Sequence, residues 1–159
     1  MEQQTASATD NTLVINCGSS SLKFAVINPN SGHCHLHGLA ERLGSEQASL
    51  SYDDNQQKHS TSLNGTDHQA AISGVIELLK QFNFFETLSG VGHRVVHGGE
   101  RFSESVIVND HILNSLEQLN HLAPLHNPVN VLGIKAMLQL LPGLPQVAVF
   151  DTAFHQTLP

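Results

Sequence analysis

Leu13-Val14-Ile15-Asn16-Cys17-Gly18-Ser19-Ser20-Ser21-Leu22-Lys23-Phe24-Ala25-Val26 sets two short apolar runs either side of a small polar turn, with a lysine just beyond it. The runs are rich in Val, Ile and Phe, which predicts the two strands of a hairpin. A Gly/Ser turn of this kind can bring backbone N–H groups, hydroxyls and one ammonium to a phosphate. It is not a Walker A loop. That loop carries Gly-Lys followed by Ser or Thr and opens a helix, whereas Lys23 leads into a strand pattern. An ordinary polar hairpin turn fits the same residues, so the turn alone leaves both readings open.

Outward from this stretch, the chain reads as one α/β domain. Its 159 residues are enough for a single core. Residues Met1–Asn11 are polar and read as a disordered tail, without the charged and apolar regions of a signal peptide. Strands are expected at Thr12–Asn16 and Leu22–Asn28, and a turn at Asn28-Pro29-Asn30-Ser31-Gly32 leads to a third at about His33–Leu43. Ala48–Tyr52 and Lys58–Leu63 suggest a polar hairpin. Ile72, Val75, Ile76, Leu79 and Phe82 recur at helical spacing after a capping Thr66 or Asp67. Gly90–His97 and Ser105–Val108 read as strands, and Asp110 as the cap of a helix to Leu119. Asn127-Pro128 opens a further helix to about Leu141. Gln146–Phe150 is an apolar strand with Asp151 at its end, a place where α/β sheets present ligand-binding groups.

Composition narrows the function classes. Seven Lys and Arg against fourteen Asp and Glu give a net charge of -7, which argues against nucleic acid as a partner. No apolar run approaches membrane-spanning length, so no membrane partner is expected. Two cysteines, Cys17 and Cys34, are too few for a disulfide framework and lack metal spacing, making a reducing cytoplasm the default location. The basic residues are few, and Lys23 and Arg94 both fall within Gly-bearing motifs. His33, His35 and His37 alternate, so on a strand they would share a face and could offer three imidazoles to a metal, although an exposed strand face is the simpler explanation.

Four segments carry the chemistry: Asn16–Lys23, Gly92-His93-Arg94-Val95-Val96-His97-Gly98-Gly99-Glu100, Leu122-Ala123-Pro124-Leu125-His126-Asn127-Pro128, and Val147-Ala148-Val149-Phe150-Asp151-Thr152-Ala153-Phe154-His155-Gln156-Thr157. Together, from Leu13 to Pro159, they resemble the acetate kinase (acetokinase) family, a branch of the actin, hexokinase and sugar-kinase group. The resemblance implies a ribonuclease H-like α/β domain with a mixed β-sheet and flanking helices. It also implies reversible phosphoryl transfer from ATP to acetate, giving acetyl phosphate and ADP, with Mg2+ required and a homodimer in the complete protein.

The resemblance assigns roles residue by residue. Asn16 matches the asparagine beside the magnesium site, where a neutral amide can orient a metal-bound water. Lys23 matches the ATP-contacting lysine, and Ser19 and Ser21 match loop serines that can donate to phosphate. Arg94 matches the arginine that binds the carboxylate substrate. A guanidinium fork suits that task, because it holds a carboxylate while lowering its repulsion from phosphate. Apolar neighbours Val91, Val95 and Val96 suggest that Arg94 is buried. Val96 and Leu125 match the pocket for the acetyl methyl, and His126 a histidine near the phosphoryl group. Asp151 matches the catalytic aspartate. Acetate is already ionised near neutral pH, so a role for Asp151 in placing magnesium or its waters is chemically easier than a role as base.

Complete acetate kinases are much longer. The resemblance implies a second domain carrying the adenosine pocket, another glycine-rich loop, a second arginine, a histidine and a magnesium glutamate, none of them matched in this sequence. The chain therefore reads as the N-terminal domain, with little or no kinase activity alone. A propionate kinase, or a non-catalytic domain acting through a partner, are the alternatives; Gly98-Gly99-Glu100 and Asn127-Pro128 favour acetate.

Overall fold

The computed structural model describes residues 10–95, 106–118 and 127–150. β1 (Asn11–Cys17) and β2 (Leu22–Ile27) form the expected hairpin, followed by β3 (Cys34–Glu41) and the hairpin of β4 (Ser49–Asp53) and β5 (Lys58–Ser62). Helix α1 (His68–Gln81) and a 3-10 turn (Phe85–Thr87) lead to β6 (Leu88–Val95). Then come β7 (Val106–Ile107), α2 (Asp110–Gln118), α3 (Asn127–Leu140) and β8 (Gln146–Phe150). All eight strands make one sheet, in the order β5-β4-β3-β2-β1-β6-β8-β7. It is mixed as expected: β1–β6 and β6–β8 are parallel, and the other pairs are antiparallel.

Alternation along the strands decides which face is buried. Leu13, Ile15 and Cys17 of β1, with Leu22, Phe24 and Val26 of β2, are buried against α1 and α3. Ile72, Val75, Ile76 and Leu79 of α1 form the helix face that meets them. A second cluster, of Val108, Leu116, Val131, Ile134 and Ala148, ties α2, α3 and β8 together. The opposite sheet face carries Val14 and Asn16, Lys23 and Ala25, His37 and Leu39, and Arg94.

Local signals explain most boundaries. Asp67 caps α1, its Oδ1 accepting from the Ala70 N–H at 2.9 Å. The helix ends where Asn83 turns left-handed, at φ 63°, and the Phe84 N–H donates to the Leu79 carbonyl. In the Asn28 turn, Asn28 Oδ1 accepts from the N–H groups of Asn30 and Ser31, and Gly32 takes φ +75°. Two expectations need correction. Asn11, assigned to the tail, is the first residue of β1; it is buried, and its Nδ2 donates to Thr87 Oγ1 at 2.9 Å. The cap of α2 is Asn109 rather than Asp110, because Asn109 Oδ1 accepts the Ile112 N–H at 2.9 Å. Of the rest of the expected tail, Asp10 is exposed and residues 1–9 lie outside the described residues.

Candidate functional site

The sheet brings three of the sequence-derived site residues together. Asn16 and Lys23 are direct cross-strand partners in the β1–β2 hairpin. β6 runs parallel to β1 on its other side, with Ile15 opposite His93, which sets Arg94 beside the end of β1. Asn16, Lys23 and Arg94 therefore line one trough of about 590 Å³ on the face that α1 and α3 do not cover. Its floor is largely apolar, with Val14, Ala25 and Leu39. Three of the seven Lys and Arg residues in this acidic chain, Lys23, Lys58 and Arg94, border it. Three cationic groups against the carboxylate of Asp53, over an apolar floor, favour an anion, since the low-dielectric wall sustains their field.

Arg94 is exposed on this face. Its apolar neighbours in sequence had suggested burial. Strand alternation separates them, for Val91 and His93 enter the core and Arg94 points the other way. A second apolar trough of about 650 Å³ adjoins the first, and Val14 and Arg94 border both.

The turn after β1 places Ser19 and Ser20 at the surface and Ser21 half-buried. The Gly18 N–H donates to the Ser21 carbonyl at 2.9 Å, closing the turn. A Cβ on Gly18 would stand 2.7 Å from Ser21 Oγ, so glycine is what leaves room for that hydroxyl. Cys17 is not a nucleophile candidate: burial pushes its thiol up to about 12, and thiolate is the reactive form.

His93 was not singled out by the sequence. It is buried, and its Nε2 lies 2.7 Å from Gln146 Oε1 on β8. Burial lowers its pKa to about 4, against a smaller opposing effect of the Gln146 hydrogen bond. The imidazole is therefore neutral near pH 7. His33, His35 and His37 do not assemble as a metal site. The rings of His33 and His35 meet at 4.7 Å and His35 lies on Phe84, while His37 faces Asp53 at 4.0 Å. Among the described residues no group of three or more His, Cys, Asp or Glu side chains could hold a metal ion. Val96, Leu125, His126 and Asp151 lie outside the described residues.

No helix among the described residues is long and apolar enough to cross a membrane. The acetokinase family model matches residues 11–159. An acetate kinase of Dichelobacter nodosus is 50% identical over 147 residues, covering 92% of this chain and 37% of that protein. One of Deinococcus radiodurans is 52% identical over 148 residues, covering 93% and 37%. Among solved structures, a propionate kinase from Francisella tularensis superposes with TM-score 0.88 at 41% identity, covering 94% of this chain and 39% of that one. An acetate kinase of Porphyromonas gingivalis gives 0.86 at 39% identity, covering 94% and 39%. The chain thus spans somewhat over a third of the length of the relatives it matches.

Proposed function

The chain belongs to the acetokinase family, and from that premise we propose that it supplies one half of an ATP:acetate phosphotransferase site, the half that holds the phosphates and the carboxylate. The observation that carries this reading is the placing of Asn16, Lys23 and Arg94 on one face of three adjacent strands. A carboxylate attacking a phosphoryl group meets like charge. Arg94 relieves that repulsion from the acceptor side by holding the carboxylate through two N–H groups. Lys23 does so from the phosphate side. Ser19 and Ser21 contribute hydroxyl donors at the turn. Such catalysis is positioning and charge stabilisation more than covalent chemistry.

The donors present fit magnesium that arrives with the nucleotide. Asn16 and the loop hydroxyls are neutral oxygen groups, suited to holding magnesium-bound water rather than to forming a carboxylate cage. Bound there, the ion would neutralise phosphate charge. Asp151, the residue after β8, is proposed for the same side of the site. ATP or ADP and acetate or acetyl phosphate are the proposed ligands, with a cytoplasmic, homodimeric complete enzyme. Propionate is the second reading, favoured by the propionate kinase superposition.

Titration of the purified chain with acetate and with propionate tests the carboxylate assignment. Saturable shifts of the Gly92 and Arg94 amide resonances are expected, lost in Arg94→Ala. Shifts that persist in Arg94→Ala would remove Arg94 from the role. Acetyl phosphate formation from MgATP is expected to be slight for this chain alone; full enzymatic turnover would refute the half-site reading.

A further inference from the structure

We propose that His68 is a positioning residue for the phosphate loop, holding the Gly18 carbonyl so that the Ser19 N–H faces the anion. The proposal deepens the phosphate-binding reading and rests on it for the anion's identity. His68 opens α1 and is half-buried, and its Nε2 lies 2.6 Å from the Gly18 carbonyl oxygen. A carbonyl oxygen only accepts, so Nε2 carries the proton and donates it. The contact joins residues 50 apart in sequence, from the helical layer to the turn. It is therefore a tertiary brace and not part of the turn's own hydrogen bonding.

The consequence follows from peptide geometry. In a trans peptide, the carbonyl of one residue and the N–H of the next point in opposite directions. No cis peptide occurs among the described residues. Drawing the Gly18 carbonyl toward α1 turns the Ser19 N–H away from it, and Ser19 is exposed. The Cys17–Gly18 and Ser20–Ser21 peptides are fixed in the same way. Asn130 on α3, itself buried, donates from Nδ2 to the Cys17 carbonyl at 3.0 Å. The Leu43 N–H donates to the Ser20 carbonyl at 3.0 Å. Three carbonyls of the turn are thereby held by partners from α3, α1 and the β3–β4 connection. This matters for an anion. Glycine's permissive backbone lets its peptide turn over, and a flipped Gly18–Ser19 peptide would present a carbonyl dipole where an N–H is needed. The Gly18 N–H is already committed to the Ser21 carbonyl, which leaves the peptide held by His68 as the one that presents Ser19.

The test uses the purified 159-residue chain, with MgATP and inorganic phosphate as probes. His68→Phe keeps a ring without a donor, and His68→Gln restores an N–H. In His68→Phe the Ser19 amide order parameter is expected to fall from about 0.85 to below about 0.6, with β1 and β2 unchanged, and His68→Gln to recover it. MgATP affinity is expected to drop about five-fold or more in His68→Phe, the loss of one oriented hydrogen bond, and to return in His68→Gln. His68→Ala serves as the second donor-free variant should His68→Phe not fold. An unchanged Ser19 order parameter and resonance in the donor-free variant, or no recovery in a folded His68→Gln, would overturn the proposal. No saturable response of wild-type chain to either probe would overturn the phosphate reading instead, and the order parameters would still decide whether His68 holds the turn.

Discussion

His93 and Arg94 are neighbours on β6 that face opposite sides of the sheet, and His93 is the one the core takes in. His93 is buried with its pKa lowered to about 4, whereas an unfolded chain binds that proton near the ordinary value of 6.5. Above pH 6.5 both states are neutral and His93 contributes no pH dependence. As pH falls from 6.5 toward 4, the unfolded state takes up a proton that the folded state resists, so stability is lost across that window. The full loss from His93 is about 3 kcal/mol, from roughly two and a half pKa units. Denaturant midpoints compared at pH 7.5 and 4.5 check this against His93→Gln, in which the acid-side slope is expected to be shallower by about that amount. Equal slopes in the two proteins would mean that burial does not hold His93 neutral.

At the scale of elements, the approach of α3 to β1 depends on a missing side chain. A Cβ on Gly133 of α3 would stand 2.8 Å from Cys17 Sγ at the end of β1, closer than real Cβ contacts. Gly133→Ala is therefore expected to cost about 1–3 kcal/mol by overpacking, despite alanine's better helix propensity. Cys17→Ala removes the opposing sulfur, so Gly133→Ala added to Cys17→Ala should cost less than Gly133→Ala alone. A double-mutant cycle from denaturant melts measures that coupling, and additive costs would refute the contact. The same contrast between local and distant signals explains what the sequence revealed. The β1–β2 hairpin, the α1 face and its Asp67 cap, and the Asn28 turn follow from residues within a few positions of one another. The expectation that Asn16, Lys23, Ser19, Ser21 and Arg94 share one site rests on motif resemblance. Strand order, and hence the place of Arg94 beside β1, is set by pairing between distant segments. The His68–Gly18, His93–Gln146 and Asn130–Cys17 contacts span 50, 53 and 113 residues, and no local periodicity encodes such pairs.

Across the whole molecule, α3 is the element shared by both core clusters. Ala136 and Met137 pack in the larger one, while Val131 and Ile134 pack with α2 and β8 in the smaller. One helix cannot leave one cluster without disturbing the other, which predicts a single cooperative unfolding transition. The chain supplies its own reporter. It has no Trp and a single Tyr, and Tyr52 lies in β4, packed against the larger cluster and beside the His59 and Phe82 rings. Ile134 is fully buried in the smaller cluster, so Ile134→Ala is expected to cost about 2–5 kcal/mol. If α3 couples the clusters, that loss appears in full at Tyr52, which belongs to the other one. Tyr52 fluorescence and far-ultraviolet circular dichroism, followed at one fixed pH, should then shift together to the same lower denaturant midpoint. A Tyr52 midpoint left at the wild-type value while the dichroism midpoint falls would show that the two clusters unfold separately, and that α3 bridges them without transmitting stability.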